Sequence, residues 1–263
     1  MHMINSIINK ETGAELLYDT MPNVICGSII ICAGGAYTWL SPREEWPVAA
    51  AYSSCGFQTF ILKYSVGIEN APLNIRPMKQ LAWAVRTVRE LTREKSDFIA
   101  VCGFSAGGHL CASLGVHWND RNVFTGVESE QSRPDAMILG YAATDTELFE
   151  GAEMGNILYG NDVKMEEYLN CVKNVTNKTV PAFIWHTVTD DMVPVQMSME
   201  FAQQMIANHN YVELHIFPDG LHGLSVATPN VDEPAKGRLA DKHIAEWLKL
   251  SVQWMEKVKR FKQ

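Results

Sequence analysis

A reactive serine is indicated by the stretch GFSAGG, in which Ser105 lies between Gly103 and Gly107. The apolar run that ends at Cys102 is typical of a buried strand, and a helical pattern begins at Ala106. A strand that turns sharply through a serine into a helix has the geometry of a nucleophile elbow. Glycines suit it because side chains would collide in so tight a turn. The pattern predicts a serine at a helix N-terminus, where negative charge is stabilised; a turn that merely packs is the alternative.

A base and an acid are needed to make such a serine nucleophilic, and candidates follow later in the chain. In chains with this elbow the order is serine, acid, histidine. A predicted strand ending at His186 is followed by a loop with Asp190 and Asp191. The last predicted strand is followed by a loop in which His222 precedes a glycine. We therefore predict Ser105, Asp190 and His222 on successive loops at one edge of a sheet.

Only one of the adjacent carboxyl groups, Asp190 or Asp191, can readily face His222, because successive side chains of an extended segment point in opposite directions. We predict that Asp190 does so, and that Asp191 instead favours the start of the following helix through its charge. His109 and His186 are interpreted as structural, because they lie within the elbow helix and at a strand end. No histidine pair with metal-ligand spacing is backed by a third ligand, so we predict neither a metal nor a cofactor.

Alternating apolar runs and helical patterns predict an α/β protein with a mostly parallel sheet covered by helices on both faces. We predict a single domain over residues 1–263. The polar, mixed segment 144–179 interrupts the alternation and is either a small helical cap over the site or a surface excursion without function. The predicted strands cover 24–32, 58–65, 98–102, 136–141, 182–186 and 212–217, and the helices cover 43–55, 78–91, a segment from 106, a segment opened by Pro194, and 244–258.

Composition restricts the partners and the compartment. The 263 residues carry a formal net charge of −8 without a basic stripe, which argues against nucleic acid. No apolar segment is long enough to cross a bilayer, and the N-terminus lacks a signal-peptide pattern, so we expect no membrane partner. The six cysteines have no paired spacing, which indicates buried free thiols and a cytoplasmic protein. Homo-oligomer formation is left open.

Together these motifs resemble the α/β-hydrolase esterases, and within them the bacterial acetylesterase branch that includes acetylxylan-esterase-like proteins. That branch carries a proline, three glycines and a tyrosine, followed by Leu-Ser-x-Arg-Glu. Here AGGAY at 33–37 precedes LSPRE at 40–44, and KYS follows at 63–65. The elbow and an acid loop of the form Thr-x-x-Asp-x-x-Val-Pro at 187–194 also match. The likeness runs from about residue 28 to residue 222.

The resemblance implies an α/β-hydrolase fold and a serine carboxylesterase acting on short-acyl esters of small acetylated sugars. In that family the acid is followed by two residues and a valine, which again selects Asp190. The oxyanion donors would be the N–H groups of Gly35 and Ala106, with Ala36 as a third. Alanine stands at two positions of the family's proline-glycine block, 33 and 36.

Two aromatic residues beside the oxyanion loop, Tyr37 and Trp39, are candidate substrate contacts; ordinary packing is their alternative role. With the methyl of Ala36, their bulk predicts a preference for short acyl groups. Two other functions stay open: hydrolysis of small amides or peptides with the same triad, and a non-catalytic binding protein on the same fold. The intact set of Ser105, Asp190 and His222 argues against the second.

Overall fold

The computed structural model describes residues 4–20, 26–124, 127–149 and 152–260. Eight strands form one sheet in the order β1-β2-β4-β3-β5-β6-β7-β8, in which β1 and β2 are antiparallel and the other strands are parallel to one another. The strands are β1 Asn5–Ile8, β2 Glu15–Tyr18, β3 Gly27–Cys32, β4 Phe57–Lys63, β5 Ile99–Phe104, β6 Ala136–Gly140, β7 Ala182–Thr187 and β8 Val212–Phe217. The predicted parallel sheet is confirmed, and residues 24 and 25 of its first predicted strand lie outside the described residues.

Helices cover both faces of the sheet, as expected for buried parallel strands. On one face α2, α3 and α7 pack over β3, β5 and β7, and on the other α1 and α8 build an aromatic core around Tyr52, Trp247 and Trp254. The helices are α1 Trp46–Ser54, α2 Arg76–Thr92, α3 Ala106–His117, α4 Val127–Ser132, α5 Ala152–Leu158, α6 Val163–Leu169, α7 Val195–Ala207 and α8 Lys242–Arg260.

Several predicted boundaries differ from the structure. The helix predicted over 43–55 is a 3₁₀ turn at Pro42–Glu44 followed by α1, and Pro194 lies just before α7 rather than inside it. The helix predicted over 78–91 is part of α2, and its last predicted residue, Leu91, is 46% exposed. The antiparallel pair β1 and β2 was not predicted.

The predicted cap segment 144–179 contains a 3₁₀ turn at Thr146–Leu148 followed by the short helices α5 and α6. It is tied to the elbow helix, because the carbonyl of Leu169 accepts a hydrogen bond from His109 Nε2 at 2.9 Å. Residues 150 and 151 lie outside the described part of the chain. A role as a cap stays a prediction.

Candidate active site

Ser105 is held in a strained backbone conformation between β5 and α3, with φ 52° and ψ −121°. Both neighbouring glycines are needed for close packing. A Cβ on Gly103 would lie 2.1 Å from the carbonyl oxygen of Gly107, and a Cβ on Gly107 would lie 2.1 Å from that of Cys32. These clashes leave glycine as the residue that permits the turn, which agrees with the elbow expected from the sequence.

The three residues predicted to form a triad lie within hydrogen-bond distance of one another. His222 Nε2 is 2.9 Å from Ser105 Oγ, and His222 Nδ1 is 2.8 Å from Asp190 Oδ2. They follow β5, β7 and β8, so the three loops meet at the carboxyl edge of the sheet, where reactive groups of such sheets gather. The loop after β6 lies between the first two, so the loops are not successive as predicted. Because an ionised carboxylate only accepts, Nδ1 donates to Asp190 and Nε2 is free to take the serine proton.

Asp190 accepts hydrogen bonds from other donors in addition to His222. Its Oδ1 accepts the N–H groups of Met192 and Val193, and His186 Nε2 lies 3.2 Å from its Oδ2. Burial alone would raise the pKa of Asp190, but hydrogen bonds from His186 and His222 outweigh it and hold the pKa well below its usual range. The carboxylate is therefore kept ionised beside the imidazole.

The second of the two neighbouring acids makes a contact that sequence spacing did not reveal. Asp191 Oδ1 accepts the backbone N–H of His222 at 2.9 Å, so it holds the histidine loop. The favourable effect of its charge on the start of α7 stays a prediction.

The predicted oxyanion loop presents backbone N–H groups to a cavity beside Ser105. Gly35 and Ala36 line this cavity and have positive φ values of 133° and 52°. Within the described residues, no acceptor is bonded to the N–H of Gly35, Ala36 or Ala106, the last of which begins α3. Free N–H groups of this kind can stabilise the charge that develops on a carbonyl oxygen.

The neighbouring residues Arg43 and Glu44 link the loops of the site. Glu44 is 3% exposed, and its Oε2 accepts the N–H of Gly34 at 2.7 Å while Oε1 accepts the hydroxyl of Tyr141 at 2.7 Å. Arg43 Nη1 donates to the carbonyl of Gly223, the residue after the histidine, at 2.6 Å. One dipeptide therefore fixes both the oxyanion loop and the histidine loop. The sequence singled these residues out only as part of a recurring block.

Tyr141 also supports the histidine directly. Its ring packs edge-on against the imidazole of His222, with the ring centroids 4.9 Å apart. Burial, and then the charge of Glu44, raises the pKa of Tyr141 well above its usual range, so its hydroxyl stays protonated and donates to Glu44.

The two aromatic residues predicted to contact substrate lie in different places. Trp39 is 52% exposed and lines the cavity of about 130 Å³ beside Ser105. Tyr37 does not face it: its side chain is buried, and its hydroxyl bonds His109 Nδ1 at 2.8 Å. The backbone at Tyr37, with φ 59°, turns the side chain into the core. Met192 on the acid loop lines the cavity and was not predicted.

The described residues contain no cluster of three or more His, Cys, Asp or Glu side chains placed to hold a metal ion. Among their helices, none combines the length and apolar character needed to cross a membrane. The segment 144–179, in its described part, contributes no residue to the lining of the cavity beside Ser105.

Similarity to known proteins agrees with this geometry. A model of the prolyl oligopeptidase family matches residues 73–253. The chain is 32% identical to endo-1,4-beta-xylanase B of Butyrivibrio fibrisolvens, and the match covers 83% of this chain and 37% of that relative. It is 27% identical to the probable carboxylic ester hydrolase LipM of Mycobacterium tuberculosis, and that match covers 65% of this chain and 43% of the relative. It therefore spans less than half of either relative.

Two solved structures superpose along almost the whole chain. The acetyl ester-xyloside bifunctional hydrolase of Caldicellulosiruptor lactoaceticus has 30% identity and a TM-score of 0.77, over 94% of this chain and 89% of that one. The carboxylesterase Cest-2923 of Lactobacillus plantarum has 23% identity and a TM-score of 0.86, over 97% of each chain. Because the family model covers well over half of the sequence, the chain belongs to the prolyl oligopeptidase family, and its fold is that of the α/β-hydrolases.

Proposed function

We propose that this protein is a serine carboxylesterase that removes acetyl and other short acyl groups from small esters, with acetylated sugars such as xylo-oligosaccharides as its substrates. One observation carries the proposal: the continuous hydrogen-bond chain from Ser105 through His222 to Asp190, at 2.9 and 2.8 Å, beside free backbone N–H groups. That arrangement contains the nucleophile, base, acid and oxyanion donors that acyl transfer requires.

The proposed reaction proceeds through an acyl-enzyme. Ser105 Oγ attacks the ester carbonyl while its proton passes to His222 Nε2, and the resulting oxyanion is stabilised by the N–H groups of Gly35, Ala36 and Ala106. The C–O bond to the alcohol then breaks as the imidazolium protonates the leaving oxygen. Water attacks the acyl-enzyme with the same histidine as base, releasing acetate and restoring the serine.

Two features support a small acyl group and a sugar alcohol. The cavity beside Ser105 measures only about 130 Å³. Relatives named for acetyl ester-xyloside and xylan hydrolysis are 30% and 32% identical to this chain.

The cysteines support the expected cytoplasmic location, because all six are free thiols and four of them are buried. A cytoplasmic enzyme would meet soluble oligosaccharides as substrates rather than polymer.

Acetate release from acetylated xylo-oligosaccharides tests the proposal, with 4-nitrophenyl acetate, butyrate and octanoate as a chain-length series. We expect turnover of the acetylated sugars and a rate that falls from acetate to octanoate. A rate that rises with chain length would contradict the short-acyl preference. No turnover of any ester would contradict the esterase assignment.

A peptidase activity is the second candidate, because the matching family model is that of prolyl oligopeptidases. Acetyl esters and the matched 4-nitroanilides distinguish the two, and faster cleavage of an anilide would select the peptidase. Labelling by a fluorophosphonate, with Ser105→Ala as the control, separates both from a protein that only binds its ligand.

A further inference from the structure

A second arginine lies beside the histidine of the site. Arg238 lines the cavity next to Ser105, and its side chain is 19% exposed. A Cβ built on Gly223 would lie 3.3 Å from its Cζ and 3.5 Å from its Nε and Nη2, so the guanidinium packs against the residue that follows His222. His222 is the group that protonates the leaving alcohol. A substrate group that contacts Arg238 would therefore lie next to the loop that carries the acid for the leaving alcohol.

The two arginines of the cavity differ in how many donors they use. Arg43 donates from Nε and Nη2 to the carbonyl of Val231 and from Nη1 to that of Gly223, which makes it a structural link. Arg238 donates from Nη1 to Glu233 Oε2 at 2.8 Å. Within the described residues its Nε and Nη2 have no acceptor. Nε and one terminal nitrogen of a guanidinium form the planar fork that matches a carboxylate.

Arg238 is also fixed in place before any ligand arrives. The backbones of Glu233 and Arg238 bond each other twice, at 2.8 and 3.2 Å, and close a short loop. That loop contains a 3₁₀ turn at Pro234–Lys236 and Gly237, whose φ of 69° is readily adopted by glycine. A side chain held by a closed loop and by Glu233 loses little conformational entropy on binding.

The charge of Arg238 is only partly neutralised by its carboxylate partner. Arg43, Lys236 and Arg238 all contact the single carboxylate of Glu233, at 3.1, 3.0 and 2.8 Å. The other acid of the lining, Glu44, is buried and already accepts hydrogen bonds from a backbone N–H and a tyrosine hydroxyl. A carboxylate that reaches Arg238 thus competes with one carboxylate that three cations share.

We propose that Arg238 binds a carboxylate carried by the alcohol portion of the ester, so that acetyl esters of carboxylated alcohols, such as sugar acids, are preferred substrates. This inference rests on the proposed esterase function.

The test compares 3- and 4-acetoxybenzoate with their methyl esters, which lack the charge. For each pair we take the kcat/KM of the charged ester divided by that of the neutral ester. This ratio is measured in the wild type, in Arg238→Gln and in Lys249→Gln. The Lys249 variant is the control, because it removes an equal charge from an exposed position on α8. Comparing one ratio between variants cancels the intrinsic reactivity of each ester. We expect the ratio for at least one isomer to fall about tenfold in Arg238→Gln and to stay unchanged in Lys249→Gln. Arg238→Lys, which keeps the charge without the fork, should recover part of the preference.

Equal loss on charged and neutral esters in Arg238→Gln would show a purely structural arginine and overturn the proposal. A second readout is independent of turnover: binding of 4-acetoxybenzoate and its methyl ester to Ser105→Ala, measured by calorimetry with and without Arg238→Gln. Absence of any hydrolysis with intact, Arg238-dependent binding would contradict the esterase function but retain the carboxylate site. Hydrolysis of the neutral esters with no Arg238-dependent preference would support the esterase function and contradict the carboxylate site.

Discussion

Ser105 combines a strained backbone with a hydrogen bond from its hydroxyl to His222, so the two roles can be separated by substitution. Ser105→Ala keeps the tight turn and removes the oxygen. We expect kcat for 4-nitrophenyl acetate to fall by at least about a thousandfold, with a residual rate from the oxyanion donors. Circular dichroism and thermal unfolding should match the wild type. A folded variant that keeps a tenth of the activity would show that another group is the nucleophile.

The adjacent acids allow a matched comparison at one site. Asp190→Asn removes the charge that orients His222 and stabilises its protonated form, and we expect kcat to fall by about a thousandfold or more. Asp191→Asn keeps an oxygen that can accept the N–H of His222, so kcat should fall by less than about tenfold. The opposite order of these two effects would assign the orienting role to Asp191.

Among the site residues, the sequence predicts those that a single motif or a single loop identifies. Ser105 and His222 follow from their glycine-flanked loops, and the structure brings both together with Asp190. The contact of His186 with Asp190 could not be predicted, because it depends on how the acid loop folds back onto the end of β7. Of the two roles open to Tyr37, substrate contact and packing, the structure shows packing, because its side chain is buried and its hydroxyl bonds His109.

At the scale of elements, the 3₁₀ turn at Pro42–Glu44 connects three loops through Arg43 and Glu44. Glu44→Gln leaves one acceptor oxygen for two donors, the N–H of Gly34 and the hydroxyl of Tyr141. A buried unsatisfied donor costs about 1–3 kcal/mol, so we expect kcat to fall about tenfold with little change in KM. Measured kcat and KM for 4-nitrophenyl acetate check this.

Glu45→Gln is the matched control for this change. Glu45 is also buried, but it pairs with Lys63 on β4 and not with the loops of the site. We expect it to lower the unfolding temperature and leave kcat unaltered. A similar fall of kcat in both variants would mean that Glu44 acts only through general stability.

The strands β3, β5, β6 and β7 are buried along their whole length, and an apolar run predicts each of them. In β8 apolar residues alternate with Glu213 and His215, and its bounds agree with the prediction at both ends. The strands β1 and β2 have four residues each and include polar side chains, with partial exposure along β1. A strand this short with polar positions has no continuous apolar run, so the sequence pattern did not predict this pair.

At the scale of the whole molecule, a buried histidine couples folding to pH. Burial lowers the pKa of His109 from 6.5 to about 4, and it outweighs the hydrogen bond to the carbonyl of Leu169, which acts in the opposite direction. The neutral ring also accepts the hydroxyl of Tyr37 inside the core. The unfolded chain takes up a proton near pH 6.5 and the folded chain does not. Stability is therefore fully present above that pH and is lost as the pH falls toward 4, by about 3 kcal/mol.

Urea unfolding of the wild type and of His109→Gln between pH 7.5 and 4 measures this contribution. The glutamine does not titrate, so the free energy of unfolding should depend less steeply on pH in the variant, although it starts from a lower value at pH 7.5. Identical slopes for the two proteins would assign the acid sensitivity to other groups.

The contacts of Arg43 also determine when the site can exist during folding. Its partners Gly223 and Val231 lie 180 and 188 residues further along the chain. Contacts between such distant segments form late, because the intervening chain must first be ordered. A ribosome-bound chain that ends before residue 223 contains Ser105 and the loop of Gly35 and Ala36 but lacks the contacts that Arg43 makes with Gly223 and Val231. In refolding from urea, esterase activity should accordingly return after the far-ultraviolet signal of the sheet and helices, and in step with docking of the segment between His222 and α8.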